Sequence, residues 1–133
     1  MPHVVIEFTS NLTNRIDPDV LVDAVHAAAL ATGTAPPDAL RTRAIECAHA
    51  AVADQHPDNA FVAVTARLGP GRSIDERQQF ASALLDAVEA CLGDAIDTVM
   101  LSAEVIEIDA ASRVNRNHLR PHVRARMADE SGH

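Results

Sequence analysis

All eleven basic residues of this chain are arginine, and none is lysine. Schiff-base chemistry therefore has no side chain to use, and the one aliphatic amine is the chain's own α-amino group. Pro2 directly follows Met1. A small second residue is a usual condition for removal of the initiator methionine, and removal turns Pro2 into a secondary amine. A solvated α-amino group titrates at roughly 7.7 to 8.0, and apolar burial or nearby cations bring it lower. Such a nitrogen is a usable general base near neutral pH. In the competing reading Pro2 only begins a strand, where no ladder donor is required. With Met1 retained, its nitrogen is an amide without basicity.

Three arginines are candidates for holding an anion beside that base. Arg41 and Arg43 alternate in LRTR, so on a strand they face one side together and their guanidinium forks can grip a carboxylate. Pairing with surface carboxylates is the alternative. Arg72 follows Gly69-Pro70-Gly71 and precedes Ser73; its side chain and the free amides of a following helix can bind an anion together, or it is an ordinary turn arginine.

Other chemistries find little support. His118 and His122 are four apart, but Pro121 between them opposes the continuous helix that aligns two metal ligands, so no metal is expected. His3, His26, His49, His56 and His133 have no ligand spacing, and no Ser/His/Asp or Cys/His set can be picked out. The glycine loop lacks the Walker lysine and is too short for a dinucleotide fingerprint. Cys47 and Cys91, 44 positions apart, suit reduced thiols better than a disulfide framework.

The elements that must position these residues are readable from pattern. Residues 3–9 (HVVIEFT) and 61–68 (FVAVTARL) are β-branched, apolar runs that predict strands. Asp17-Pro18 marks a helix start and Gly33 its end. Ser73 and Glu76 have capping-box spacing, Phe80, Leu84, Val88 and Leu92 recur at helical intervals, and Gly93 stops that helix. Residues 40–47 and 98–108 predict a strand after each helix. The ambiguous stretch from Ala44 to Ala53 is alanine-rich, and we expect strand there to about His49. A shift of 58 residues lays Val62-Ala63-Val64 on Val4-Val5-Ile6 and Ile74-Asp75 on Ile16-Asp17.

The expectation is an α+β fold: duplicated βαβ units forming a four-stranded mixed sheet with two helices on one face, each unit having parallel outer strands. One domain over residues 1–133 is expected, with halves at about 2–57 and 58–112 and a tail at 113–133. The other face of the sheet is expected to be apolar and covered by oligomerisation.

At 133 residues the chain has room for one compact domain. Its formal charge of -8 argues against general nucleic-acid binding. Five arginines, at 113, 116, 120, 124 and 126, crowd the tail without an interleaved aromatic for base stacking, so the tail is expected to be solvated or to contact another subunit. Neither a secretory leader nor a run of about 18 apolar residues is evident, so a cytoplasmic protein with no membrane partner is expected.

Four segments in order, MPHVVIEF at the start, ATG with PP and LRTR at 31–43, DNAFV at 58–62 and GPGRSIDERQQ at 69–79, resemble the 5-carboxymethyl-2-hydroxymuconate Δ-isomerase family of the tautomerase superfamily. The resemblance spans nearly the whole chain. It implies a homotrimer, no cofactor and no metal, and a small acidic enol, a dicarboxylate or tricarboxylate, as substrate. Pro2, once amino-terminal, matches the proline that shuttles the proton; Arg41 and Arg72 match the arginines that bind and polarise the substrate, and Arg43 a neighbouring arginine. The implied reaction converts 5-carboxymethyl-2-hydroxymuconate to its 2-oxo isomer, a step of homoprotocatechuate catabolism. RVNRNHLRPHV resembles the family's tail, which runs against a neighbouring subunit. ECAHAAVADQH departs from the family pattern, which carries aromatics there, and leaves the pocket wall open. Another 2-hydroxydienoate or a phenylenolpyruvate-like enol, or a non-catalytic trimeric binding role, therefore stand as alternatives.

Overall fold

The structure, a computed structural model, describes residues 2–131; Met1, on which the basicity of Pro2 turns, and His133 lie outside the described residues. Four strands, β1 (His3–Thr9), β2 (Arg41–Cys47), β3 (Ala60–Leu68) and β4 (Val99–Glu107), form one sheet in the order β2-β1-β3-β4. β1 runs parallel to β2 and antiparallel to β3, and β3 runs parallel to β4. Helices α1 (Pro18–Ala31) and α2 (Ile74–Leu92) each connect a parallel pair.

Side-chain alternation along the central strands sets the core. Val4, Ile6 and Phe8 of β1 and Val62, Val64, Ala66 and Leu68 of β3 are buried against Leu21, Val25 and Ala29 of α1 and Phe80, Leu84, Val88 and Leu92 of α2. Fully burying one such large side chain is worth about 1.5–3 kcal/mol, and with few aromatics the aliphatic side chains supply most of the packing. Both helix starts are built as their sequences require. The Asp17 carboxylate accepts from Asp19 N at 2.9 Å, and Ser73 Oγ accepts from Glu76 N at 3.1 Å while Glu76 Oε1 accepts from Ser73 N at 3.5 Å.

Three expectations need correction. β2 ends at Cys47, not near His49. It has β1 as its sheet neighbour, and their last registered pair is Thr9 with Cys47; beyond it β1 becomes a 3-10 turn at Ser10–Asn14, and Ser10 Oγ donates to Cys47 O at 3.0 Å. Second, the face of the sheet away from α1 and α2 is mixed rather than apolar. Register and alternation place His3, Arg41, Arg43, Arg67, Glu7 and Glu104 there among Val5, Phe61 and the exposed Ile45, Met100 and Ile106. Third, the tail contains a further helix, α3 (Arg120–Ser131). Pro121 sits in its first turn, where a missing N–H costs nothing, and Asn117 Oδ1 accepts from Leu119 N and Arg120 N at 3.1 and 2.9 Å.

Candidate active site

Topology gathers the candidate residues at one end of the sheet. β1 and β2 begin there, and β3 and β4, running the other way, end there. Pro2 is buried one residue before the His3–Arg67 register pair, beside the point where Leu68 leads into Gly69. Its carbonyl accepts from Arg41 N at 3.2 Å, which fixes the start of β2 against it.

Arg41 and Arg43 project from the same side of β2, as alternation requires, and close on the ring of His3. Arg41 Nη1 lies 3.4 Å from His3 Nε2, and Arg43 Nη1 lies 3.3 Å from His3 Nδ1. A neutral imidazole has one acceptor nitrogen, so the two arginines share one true acceptor between them. Burial, with Arg41, Arg67 and Arg43 around it, lowers the His3 pKa to about 4, leaving the ring uncharged at neutral pH. Arg41 Nη2 also donates to Asn115 Oδ1 at 3.2 Å.

Arg72 is placed differently. Its guanidinium donates to Gly69 O at 3.1 Å and Thr34 O at 2.9 Å, tying the loop before α2 to the loop after α1. Gly71, at φ +108°, makes the turn that aims it. Arg72 lines an open cleft of about 760 Å³ with Thr34, Gly71, Glu76, Gln79 and Phe80. Arg41 and Arg43 are thus brought together on the uncovered face of the sheet, with Pro2 bonded to Arg41 N at the strand end, whereas Arg72 stands apart at the helix-side cleft.

Sequence reasoning missed four residues here. His3, Arg67, Arg113 and Asn115 line a smaller cavity of about 210 Å³ with Ile108 and Val114. Alternation in TARL puts Arg67 on the uncovered face, but pairing it with His3 requires the β1–β3 register, which no tight turn announces. The tail is also held more firmly than expected. Arg124 Nε donates to Asp38 Oδ2 at 2.7 Å, Arg120 Nε lies 3.4 Å from the same oxygen, and Asn117 Nδ2 donates to Asp38 O at 2.8 Å. Two of the five tail arginines are therefore engaged by the chain's own carboxylate.

Among the described residues, no group of three or more His, Cys, Asp or Glu side chains has a metal-holding arrangement, and no helix is long and apolar enough to cross a membrane.

The profile of the family described as 5-carboxymethyl-2-hydroxymuconate isomerase matches residues 2–123. The chain belongs to this family. The 5-carboxymethyl-2-hydroxymuconate Delta-isomerase of Escherichia coli is 27% identical over 121 residues, covering 90% of this chain and 96% of its own. A crystal structure of a 5-carboxymethyl-2-hydroxymuconate isomerase from Deinococcus radiodurans R1 superposes with a TM-score of 0.81 at 28% identity, over 92% of this chain and 93% of that one. A fused 4-OT protein described as a wild-type symmetric trimer shares the fold at a TM-score of 0.68 and 20% identity, over 91% of this chain and 98% of its own. This family member is an isomerase of the tautomerase superfamily, with the α+β tautomerase fold.

Proposed function

We propose that the protein converts 5-carboxymethyl-2-hydroxymuconate to its 2-oxo isomer, with the Pro2 nitrogen, freed by loss of Met1, as the proton carrier. The observation that supports this reading is buried Pro2 beside the start of β2, with Arg41 N bonded to its carbonyl and Arg43 on the same side of the strand, while Arg72 stands in the loop that leaves β3 at that end of the sheet. Pro2 takes the proton of the 2-hydroxyl, leaving a dienolate whose charge spreads over the conjugated carbons. The same nitrogen returns a proton to C5, so that C2 becomes a ketone, the remaining C=C lies between C3 and C4, and Pro2 ends neutral. Substrate and product are isomers, so the step needs no electron acceptor.

Arg41 and Arg43 hold carboxylate from the uncovered face and Arg72 offers its charge from the cleft, where fixed cations offset the developing dienolate. The setting proposed is a cytoplasmic homotrimer in homoprotocatechuate catabolism. The likeness to a symmetric trimer and the uncovered sheet face, with Ile45, Met100 and Ile106 exposed, support the assembly.

The test is loss of the conjugated enol absorbance when protein lacking Met1, verified by intact mass, is added to 5-carboxymethyl-2-hydroxymuconate near pH 7. Acceleration over buffer that disappears in protein retaining Met1 supports the reading. Equal rates with and without Met1 overturn the proline mechanism, and no acceleration by either overturns the substrate.

A further inference from the structure

The cavity that sequence reasoning missed has a composition that calls for a ligand. In a chain with a formal charge of -8, Arg67 and Arg113 line it beside His3, and among the described residues no carboxylate lines it. Arg41 and Arg43 close on His3 from β2. Two guanidinium groups thus bond the uncharged imidazole and two more line the cavity beside it, a concentration of positive charge that attracts an anion.

The imidazole suits such an anion. Held neutral by burial and by the surrounding arginines, it leaves the positive charge of the site to the arginines, whose guanidinium groups bind carboxylate. Its wall comes from the tail, where Asn115 accepts from Arg41 and thereby holds Val114 and Arg113 over the sheet end.

We infer that His3, Arg67 and Arg113 form a second carboxylate subsite, on the face of the sheet opposite the Arg72 cleft, which takes the carboxymethyl arm of a branched tricarboxylate substrate. This rests on the isomerase reading above. The two terminal carboxylates of a muconate lie along one conjugated chain, whereas the arm at C5 diverges from it. The cavity lined by His3, Arg67 and Arg113 is a cation site separate from the Arg72 cleft, as that requirement asks. Arg67 is in this account a specificity residue, and His3 the uncharged ring that Arg41 and Arg43 bond and that walls the cavity beside it.

The experiment compares kcat/KM for 5-carboxymethyl-2-hydroxymuconate with that for 2-hydroxymuconate, which lacks the arm, in wild type, Arg67→Met and Arg67→Lys. The expected result is a fall of about tenfold or more in the tricarboxylate-to-dicarboxylate ratio for Arg67→Met, as loss of a charged hydrogen bond gives, largely restored in Arg67→Lys. A ratio equal to that of wild type, whether both rates fall or neither does, overturns the subsite. If wild type turns over neither enol, the isomerase reading fails separately, and propane-1,2,3-tricarboxylate titrated against the His3 ring resonances decides the subsite. Saturable shifts in wild type that are lost in Arg67→Met support it, and their absence in wild type overturns it.

Discussion

Arg124 Nε stands 2.7 Å from Asp38 Oδ2, and this contact fastens the last helix to the residues that lead into β2. Asp38 is buried, and its carboxyl is held below the usual 3.8 chiefly by the hydrogen bond from Arg124. A carboxylate with a depressed pKa contributes stability above its unfolded value and loses it as pH falls through the folded value. The share of α3 docking that this ion pair supplies is therefore expected to be present at neutral pH and lost on acidification below the ordinary carboxylate range. Asp38→Asn is expected to accelerate amide hydrogen exchange across α3 by roughly tenfold or more at pH 7 while the strands stay protected. Unchanged exchange in α3 would show that the ion pair does not hold the tail.

His3 gives a second acid-sensitive step at higher pH. It faces Arg41 and Arg43 of β2, Arg67 of β3 and Arg113 of the tail, and its pKa falls from 6.5 to about 4. Between those values the unfolded chain binds a proton that the folded one refuses, so stability is complete above 6.5 and declines as pH drops towards 4. Urea midpoints measured across this window should fall in wild type and fall less steeply in His3→Gln. Parallel curves would refute the assignment.

Arg72 has a structural duty as well as a proposed catalytic one. Arg72→Ala leaves the carbonyls of Gly69 and Thr34 without their charged donor, at an expected cost of about 2 kcal/mol. Turnover is expected to fall about 100-fold, as for loss of one partner to developing negative charge. Thermal melting and steady-state rates separate the two effects; an unchanged melting temperature would mean that the loop clamp is dispensable.

Ser73→Ala serves as the contrasting variant. It removes the cap that Glu76 N relies on, costing about 1 kcal/mol, without touching any residue proposed to meet substrate. Its melting temperature should drop while kcat/KM stays within about twofold at a temperature where both proteins are folded. A larger loss of kcat/KM would mean that the start of α2 also sets the geometry of the cleft.

Removal of the base is the sharpest chemical test. Pro2→Ala, with Met1 removed, is expected to lower kcat by about 100-fold or more, within the range of general acid-base contributions. Its primary α-amino group titrates near the same range but lacks the ring that fixes its direction. Wild-type turnover in this variant would argue against Pro2, unless acetylating the new α-amino group then abolished it.

Local signals made the elements legible. HVVIEFT and FVAVTARL have β-branched alternation, and Asp17-Pro18 and Ser73 with Glu76 cap their helices through contacts only two or three residues away. Arg41 and Arg43 are legible as a same-side pair because a strand's period of two is fixed by its backbone. What failed was non-local. His3 meets Arg67 across 64 positions and Arg41 meets Asn115 across 74, and neither leaves a trace in any short window. The uncovered face departs from its expected apolar character because a strand buried on one side reads as apolar when its neighbours' phase is unknown, and α3 escapes pattern reading because its polar sequence has no apolar stripe to follow.

The placement of β1 at the centre of the sheet has a consequence for how the protein comes into being. Its neighbours are residues 41–47 on one side and 60–68 on the other, so the segment synthesised first acquires its full set of hydrogen bonds only after half the chain exists. The pocket beside it waits longer, because Arg113 and Asn115 arrive near the end. Long-range closures of this kind are slow and leave strand edges open meanwhile. Occupancy of the proposed subsite thus reports on both ends of the molecule at once: a chain interrupted after Ile108 retains all four strands yet lacks the wall that would receive an anion.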